Sequence, residues 1–270
     1  MENYIKKNSI GLAWRNAIEK VFEKGKTVHD GEVKLHELLG LHITIDNPSE
    51  DDEFIKKNGD LSMIEWMKNN FCQDLVQKAE AENKSFYDKI NELTKDIPIG
   101  SDRLIYLPFL MGERTPHIDP KYRGAFIGLN IVHGQAHMLR AIMEGVVYSL
   151  ADCNEILKEL GTEVVSMRAC GGGSKSPVWR KIMADLYKCG IHTLKQEEGP
   201  AYGAAILAGV GTGIYSSIQD ACDAFIEEDE ITECDLKEAE EYEKFHKIYD
   251  RFYEDIKENL HALYALEKTI

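Results

Sequence analysis

The sequence predicts an α/β layered fold, and three observations carry that expectation. From residue 164 onward, short apolar strands alternate with helical stretches through glycine-rich turns. A single long amphipathic pattern, His137 to Leu160, supplies a helix with one buried side. The 270 residues are 43% hydrophobic and 29% charged, with only 7 Pro, which is the texture of a folded chain with a sizeable core. Strand–helix alternation of this kind is the pattern of α/β layers.

In chain order, Leu12, Trp14, Ala17, Ile18, Val21 and Phe22 recur at helical spacing, and Gly25 closes that helix. Leu41 to Ile45 alternates as a short strand, and Asn47-Pro48-Ser49 breaks it ahead of an acidic turn. Met63 to Phe71 is helical, and residues 72–100 form a helical segment ending at Pro98 and Gly100. Leu104 to Leu107 and Gly124 to Leu129 are strands on either side of the polar loop Gly112 to His117. Leu139, Ile142, Met143, Val146, Val147 and Leu150 mark the buried side of the long helix. A strand at Val164–Ala169 leads into Cys170-Gly171-Gly172-Gly173-Ser174, and a helix runs from Pro177 to Lys188 with Ser176 as its N-cap. Ile191–Leu194 is a strand and Gly199–Gly213 a small-residue helix. In the tail, residues 226–270, 15 acidic residues against 6 basic ones leave −9. Phe245, Ile248, Tyr249, Phe252, Tyr253, Ile256, Leu260 and Leu263 lie three or four apart there, predicting a terminal amphipathic helix packed on the domain.

A formal charge of −15 argues against a phosphate-backbone binder, which needs clustered Lys and Arg, so no nucleic-acid partner is expected. The acidic balance leaves a nucleotide site open, because backbone N–H groups and Mg²⁺ can hold phosphates. No two of the six cysteines form Cys-x-x-Cys, and the N-terminus has no apolar stretch of signal-peptide length. They are expected as reduced thiols in the cytoplasm. No apolar run approaches the roughly 20 residues of a membrane span.

The strongest chemical signal is Gly171-Gly172-Gly173-Ser174-Lys175-Ser176-Pro177, between a strand and a helix. Glycines there let a ligand approach the backbone, and helix-start N–H groups favour an anion. Neither the P-loop spacing nor the dinucleotide fingerprint is present, and a plain strand–helix turn explains the run equally well. The small residues of Gly199 to Ala205 fit close packing or contact with a flat ligand. His133 and His137 are four apart, but Gly134 occupies the position where a zinc-protease helix carries its glutamate. Glu113 and Asp119 flank a loop whose ion pairs are expected to fix its shape. No serine sits in a Gly-x-Ser-x-Gly elbow.

Taken together, these motifs resemble the C-terminal domain of the FGGY family of carbohydrate kinases, and within it the xylulokinases, over about residues 72–260. The resemblance rests on Leu107-Pro108-Phe109, Gly112 to His117 and Asp119-Pro120. It rests equally on the spaced signature Gly124-x-Phe126-x-Gly128-Leu129, His137-Met138 and Ala141-Ile142-Met143-Glu144. Gly171 to Arg180 is similar to that family's nucleotide-binding turn, and Ala201 to Ala208 to its last core helix.

The resemblance implies an RNase H-like domain of the actin/hexokinase/Hsp70-type ATPase fold carrying an N-terminal α/β appendage. It implies ATP and Mg²⁺ as cofactors, with Gly171, Gly172, Gly173, Ser174, Lys175 and Ser176 as nucleotide-binding residues. It implies no catalytic residue in this chain and no protein-held metal. The family's sugar-binding domain, with the aspartate that deprotonates the acceptor, has no counterpart in residues 1–71, and Asp102, Asp119 and Asp152 lack its sequence context. Trp14-Arg15-Asn16-Ala17, Leu38 to Pro48, Gly59-Asp60 and Met63 to Met67 instead look like the opening of an archaeal-type thymidylate synthase. The expected division is therefore 1–71, an appended segment of different origin joined near Asn70–Cys72, and 72–270, the kinase domain.

The expected role is the ATP-binding half of a sugar kinase, inefficient alone. Its rivals are a non-catalytic nucleotide-binding or regulatory module, and a half that complements a separate N-terminal kinase domain. The expected partners are a nucleotide, a pentulose once a sugar-binding domain is supplied, and a second copy or complementing domain, with no membrane.

Overall fold

The structure is a computed structural model. It describes the backbone of residues 4–7, 26–30, 33–37 and 42–45, and residues 63–266 except 114, 163 and 196–199. The side chains of 200–202 are not among those described. The helix expected over Leu12–Phe22 with Gly25, the Trp14, Leu38–Leu41, Asp46–Pro48 and Gly59-Asp60 motifs, Arg114 and Gly199 all lie outside the described residues.

The chain divides into two compact units, Met1–Ser62 and Met63–Ile270. In the first, β1 (Tyr4–Lys7) pairs in parallel with β4 (His42–Ile45), from Tyr4 opposite His42 to Lys7 opposite Ile45. An antiparallel pair, β2 (Lys26–Asp30) and β3 (Val33–Glu37), lies between them in sequence. Strand β4 matches the expected alternation; β3 carries the same alternation in Val33-Lys34-Leu35-His36, whereas β1 and β2, rich in Lys and His, do not.

The second unit opens with α1 (Met63–Phe71), whose Ile64 and Met67 are buried in that unit's core. This compact unit begins at Met63. The helical segment expected over 72–100 is two helices, α2 (Gln73–Ala81) and α3 (Phe86–Thr94). Asn83 at φ 55° turns the chain, and Ser85 with Asp88 forms a reciprocal capping box that starts α3. That Ser-x-x-Asp is a helix-start signal in the sequence itself.

Strands β5 (Ile105–Leu107) and β6 (Ala125–Ile127) form a short antiparallel pair. β6 stops at Gly128, which has φ +94° and whose added Cβ would lie 2.4 Å from the Arg103 carbonyl oxygen. Only glycine satisfies both conditions. Helix α4 (Gln135–Glu159) then packs across β5. Leu139, Ile142, Met143 and Val147 are buried as expected, whereas Leu150 faces solvent at 50% exposure. The helix lies so close to β5 that a Cβ on Gly145 would sit 2.2 Å from the Tyr106 carbonyl oxygen.

After β7 (Ser166–Arg168), a 3-10 turn at Gly172–Lys175 leads into α5 (Pro177–Tyr187). Ser176 is its N-cap, accepting the Trp179 N–H at 3.1 Å, with Pro177 in the first turn. β7 pairs in parallel with β8 (Gly190–Leu194), which pairs antiparallel with β9 (Glu228–Thr232). Between β8 and β9 lie α6 (Pro200–Gly211) and α7 (Ile218–Phe225), which pack on each other.

Strand β9 has no apolar alternation to announce it. Its glutamates meet basic side chains: Arg168 pairs with Glu228 at 2.7 Å, His192 with Glu228 at 2.8 Å and Arg180 with Glu230 at 2.8 Å. These glutamates stay solvent-exposed, Glu230 at 65%, so part of the tail's negative charge forms surface ion pairs along the sheet.

The terminal helix α8 runs from Leu236 to Leu266. It starts nine residues ahead of the apolar pattern because Asp235 caps it, its Oδ1 accepting the Lys237 and Glu238 N–H groups at 2.8 and 3.3 Å. Tyr242, Tyr249 and Tyr253 are buried in the main core, with Phe245, Phe252, Ile256 and Leu260 packed against it. The helix is thus a strap over the domain. Asp119 fastens it further: its Oδ2 accepts from the Tyr253 hydroxyl at 3.2 Å and meets His261 Nε2 at 2.6 Å.

Glu144 is fully buried between these elements. It accepts from Arg140 Nε at 2.8 Å, Ser101 Oγ at 3.0 Å and the Gly100 N–H at 3.2 Å. Tyr242 donates to it at 3.3 Å and receives Arg140 Nη2 at 2.6 Å. Burial pushes the Glu144 carboxyl up, against the pull of Arg140 and the other donors.

Two expectations follow. Gly145→Ala forces α4 away from β5 and should lower unfolding stability by about 1–3 kcal/mol, as overpacking does, read from urea midpoints. Asp185 is buried on α5, with Oδ1 bonded to Lys181 at 2.6 Å and the Asp235 N–H at 2.8 Å, and Glu238 beside its carboxyl. Burial raises its carboxyl from 3.8 to about 6. A raised carboxyl favours the folded state most while protonated, so its contribution is lost as pH climbs from about 4 through 6. Urea midpoints at pH 4, 5, 6 and 7 should show that decline in the parent and a flatter profile in Asp185→Asn.

Candidate functional site

The sequence places glycines where β7 hands over to α5, and the structure shows what each residue of that turn does. Gly171 sits at φ 82°, ψ −170°, a conformation essentially reserved for glycine, and is exposed. Among the described residues, a Cβ on Gly172 would meet nothing within 4 Å, so its outer face is open to them. Gly173 is a packing glycine: its Cβ would come 3.2 Å from the Trp179 ring. Ser174 is buried, and its hydroxyl donates back to the Gly171 carbonyl at 2.7 Å, closing the turn. Lys175 is exposed. Ser176 caps α5 and donates to Asn91 Oδ1 on α3. Of the six expected residues, Gly171, Gly172 and Lys175 face outward, whereas Gly173, Ser174 and Ser176 hold the turn's shape.

Two further bonds fix the turn against the domain. Arg180 Nη1 donates to the Ser174 carbonyl at 2.7 Å while Nη2 holds Glu230 of β9. Trp179 Nε1 donates to the Met143 carbonyl of α4 at 3.0 Å. The loop is therefore rigidly mounted, as a site needs if its backbone is to meet a ligand.

Gly172, Lys175, Ser176 and Trp179 open onto a cavity of about 380 Å³ completed by Ile64, Ile90, Asn91 and Tyr87. The volume lies within the range of small-molecule sites, and the walls are apolar with a few polar groups at the rim. Tyr87 donates to Glu65 of α1, which holds its ring at the mouth. Tyr87, Asn91 and Ile64 had no sequence signal: they reach the turn only because α1 and α3 pack beside it. A second hollow of about 450 Å³ on the other side of the turn is polar and charged, with Lys175, Arg180, Lys195, Asp229 and Glu230.

The acidic and histidine candidates are committed elsewhere. Glu113 and Asp119 exchange backbone hydrogen bonds at 2.8 Å each way, closing the polar loop. Burial alone would raise the Asp119 carboxyl, but His261 and the Lys121 N–H outweigh it and hold the carboxyl below its usual value. His137 Nε2 meets Asp102 Oδ2 at 3.1 Å, and His133 Nε2 the Asp102 carbonyl at 3.2 Å. Asp152 pairs with His246 at 2.9 Å. In α6, a Cβ on Gly203 would meet nothing within 4 Å, while one on Gly209 would touch the Tyr215 ring at 2.9 Å; close packing is thus present at Gly209 and absent at Gly203.

Residues 54–212 match the family model for the C-terminal domain of the FGGY family of carbohydrate kinases. The chain is 38% identical over 195 residues to a xylulose kinase of Staphylococcus epidermidis, a match covering 72% of this chain and 37% of that protein. It is 34% identical over 214 residues to a xylulose kinase of Bacillus subtilis, covering 79% of this chain and 43% of the relative. The fold is similar to that of a ligand-bound xylulose kinase from Lactobacillus acidophilus, with a TM-score of 0.59 and 27% identity over 68% of this chain and 38% of that one. The chain thus spans about two-fifths of the length of the curated relatives it matches. With the Gly171–Ser176 turn and the Glu144 signature in their observed positions, this chain belongs to the FGGY family of carbohydrate kinases, within the part that forms the C-terminal domain.

Proposed function

We propose that the chain is the ATP-binding half of a xylulokinase-like sugar kinase, which phosphorylates a sugar hydroxyl from ATP with Mg²⁺. The observation that carries this is the Gly171–Lys175 turn: a glycine-only backbone, open space over Gly172 and an adjacent cavity of about 380 Å³. These residues fit a nucleotide. Gly172 admits close approach of the ligand to the backbone, the apolar wall of Trp179 and Ile90 suits a flat base, and Lys175 supplies a positive charge for the phosphates. ATP with Mg²⁺ would supply the transferable phosphoryl group and offset its charge. The chain's own residues hold that nucleotide still; Ser174, Ser176 and Arg180 keep the turn in shape and Trp179 closes one side.

The acceptor side is read as lying outside this chain. Phosphoryl transfer needs an oriented hydroxyl with a carboxylate near its proton. Asp102, Asp119 and Asp152 are each engaged by a histidine. A separate N-terminal kinase domain completing the cleft is the second reading. The loop after β6 favours it, because Leu129, Ile131 and Val132 stand exposed there, Ile131 completely so. The pentulose is then read by that partner. Residues 1–71 are read as an appended segment of different origin, thymidylate-synthase-like, its last part overlapping the stretch from residue 54 that matches the kinase family model. A cytoplasmic setting suits the chemistry, and among the described residues no helix is long and apolar enough to cross a membrane.

Gly172→Val should weaken ATP affinity about tenfold or more, because its side chain projects into open space at the cavity without touching the fold. Calorimetric titration with a circular-dichroism control checks this, and unchanged affinity in a folded variant removes the nucleotide assignment. The purified chain should release ADP in the presence of xylulose at close to background, since loss of a general base alone costs about 10²–10⁴-fold. Robust turnover would show that this chain carries an acceptor site of its own.

A further inference from the structure

The long helix α4 and the strap α8 meet at a cluster that the nucleotide site does not use. Asp152 comes from α4. His246 and Asp250 come from α8, one helical turn apart and therefore on one face. His246 Nε2 lies 2.9 Å from Asp152 Oδ1 and 3.1 Å from Asp250 Oδ1. One donor atom from each of the three residues lies within 4.8 Å of the other two. Asp152 and His246 are largely shielded, with side chains 18% and 13% exposed, and Asp250 opens to solvent at 48%.

The charge at this junction is unbalanced. Two carboxylates face one imidazole, and Glu155, itself paired with Lys158 at 2.7 Å, adds a further negative charge toward Asp250. Burial, together with the nearby Asp152, raises the Asp250 carboxyl to about 6 despite the pull of His246. Two observations outside the cluster bear on it. The backbone of Tyr148 hydrogen-bonds the imidazole, and the Tyr148 ring stacks on it at 5.8 Å and 16°. A backbone bond and a stacked ring of this kind fix the orientation of metal-binding histidines. The buried Tyr249 hydroxyl lies close to Ser149 and feels Asp152 as its foremost charge.

We propose that Asp152, His246 and Asp250 form a site for a first-row divalent cation of the Zn²⁺ type, which clasps α8 onto α4. The donor set decides the class. An imidazole nitrogen with two carboxylates suits Zn²⁺ and its neighbours, whereas Mg²⁺ and Ca²⁺ prefer oxygen donors alone. Two carboxylates, a neutral imidazole and a divalent cation sum to zero charge. The cation binds the imidazole nitrogen that faces the two carboxylates, and any proton on that nitrogen leaves to solvent. Water at the open side by Asp250 fills the remaining coordination position. The site is independent of the nucleotide reading.

The test uses the full chain, stripped with a chelator and kept reduced. Calorimetric titration with ZnCl₂ should show one equivalent bound with a rise in melting temperature, and MgCl₂ at the same concentration should do neither. Co²⁺ as an optical probe should give visible d–d bands without thiolate charge-transfer absorption, which separates this site from the six cysteines. His246→Gln and Asp250→Asn should each weaken binding about tenfold or more. Asp250 is half exposed, so its variant keeps the test valid should His246→Gln fail to fold. Absence of binding, a thiolate spectrum, or binding that survives Asp250→Asn would overturn the assignment.

Discussion

The buried carboxylate of Glu144 is the constraint on which most of this domain depends. A charge removed from water is tolerated only with near-complete compensation. Arg140, Ser101, Gly100 and Tyr242 provide it from three separate segments. Arg140 also reaches the Thr94 carbonyl at the end of α3. One acidic residue thereby draws together α3, the loop after it, α4 and α8. Removing one partner of such a network leaves a buried charge exposed to the low dielectric, typically at about 3–5 kcal/mol. The same helix carries Gly145 one residue later, so the polar anchor and the closest helix–strand approach lie side by side. Together they fix α4 against β5, and α4 in turn supplies the Met143 carbonyl that holds Trp179 under the glycine turn.

The strap helix α8 is the second organising feature. Its aromatic residues bury against α4 and α5, but its register is set by polar contacts at intervals along its length. Asp235 caps its start and joins Asp185. Tyr242 joins the Glu144 network, His246 meets Asp152, and Tyr253 and His261 close on Asp119. The Tyr122 hydroxyl donates to the Phe252 carbonyl at 3.0 Å, and His117 stacks on Tyr253 at 3.6 Å and 7°. Apolar burial is non-directional and would permit sliding; hydrogen bonds spaced along the helix do not. The polar loop Gly112–Asp119 is thus a clamp for the C-terminal helix, and its carboxylates serve structure.

The glycine turn illustrates a division of labour within a short motif. Three of its residues shape it and three face outward, and the shaping residues are as specific in identity as the outward ones. Ser174 closes the turn on itself, Ser176 starts α5 and joins α3, and Gly173 makes room for Trp179. A turn held by Arg180 to β9 and by Trp179 to α4 presents its backbone without reorganising, which is what a nucleotide site requires.

Much was legible in the sequence by itself. The spaced signature ending at Glu144 and the Gly171–Pro177 run identified the family. Helices with one apolar face, such as α4 and α5, were readable because burial imposes a 3.6-residue period on the chain. Ser176 and Pro177 marked a helix start because orphan N–H groups there demand an acceptor. Tertiary structure alone decided the rest. The acidic strand β9 forms by pairing with β8, where Arg168, Arg180 and His192 come to meet its glutamates, a juxtaposition that no local pattern encodes. The early start of α8 and the break between α2 and α3 rest on single capping residues, Asp235 and Ser85, whose short polar signals the longer apolar periods outweigh in a sequence reading. Tyr87, Asn91 and Ile64 line the cavity at Gly172, and Asp152, His246 and Asp250 converge, only because helices distant in sequence pack together. Local sequence sets which backbone each segment prefers; which side chains then share one space is fixed by the packing of whole elements.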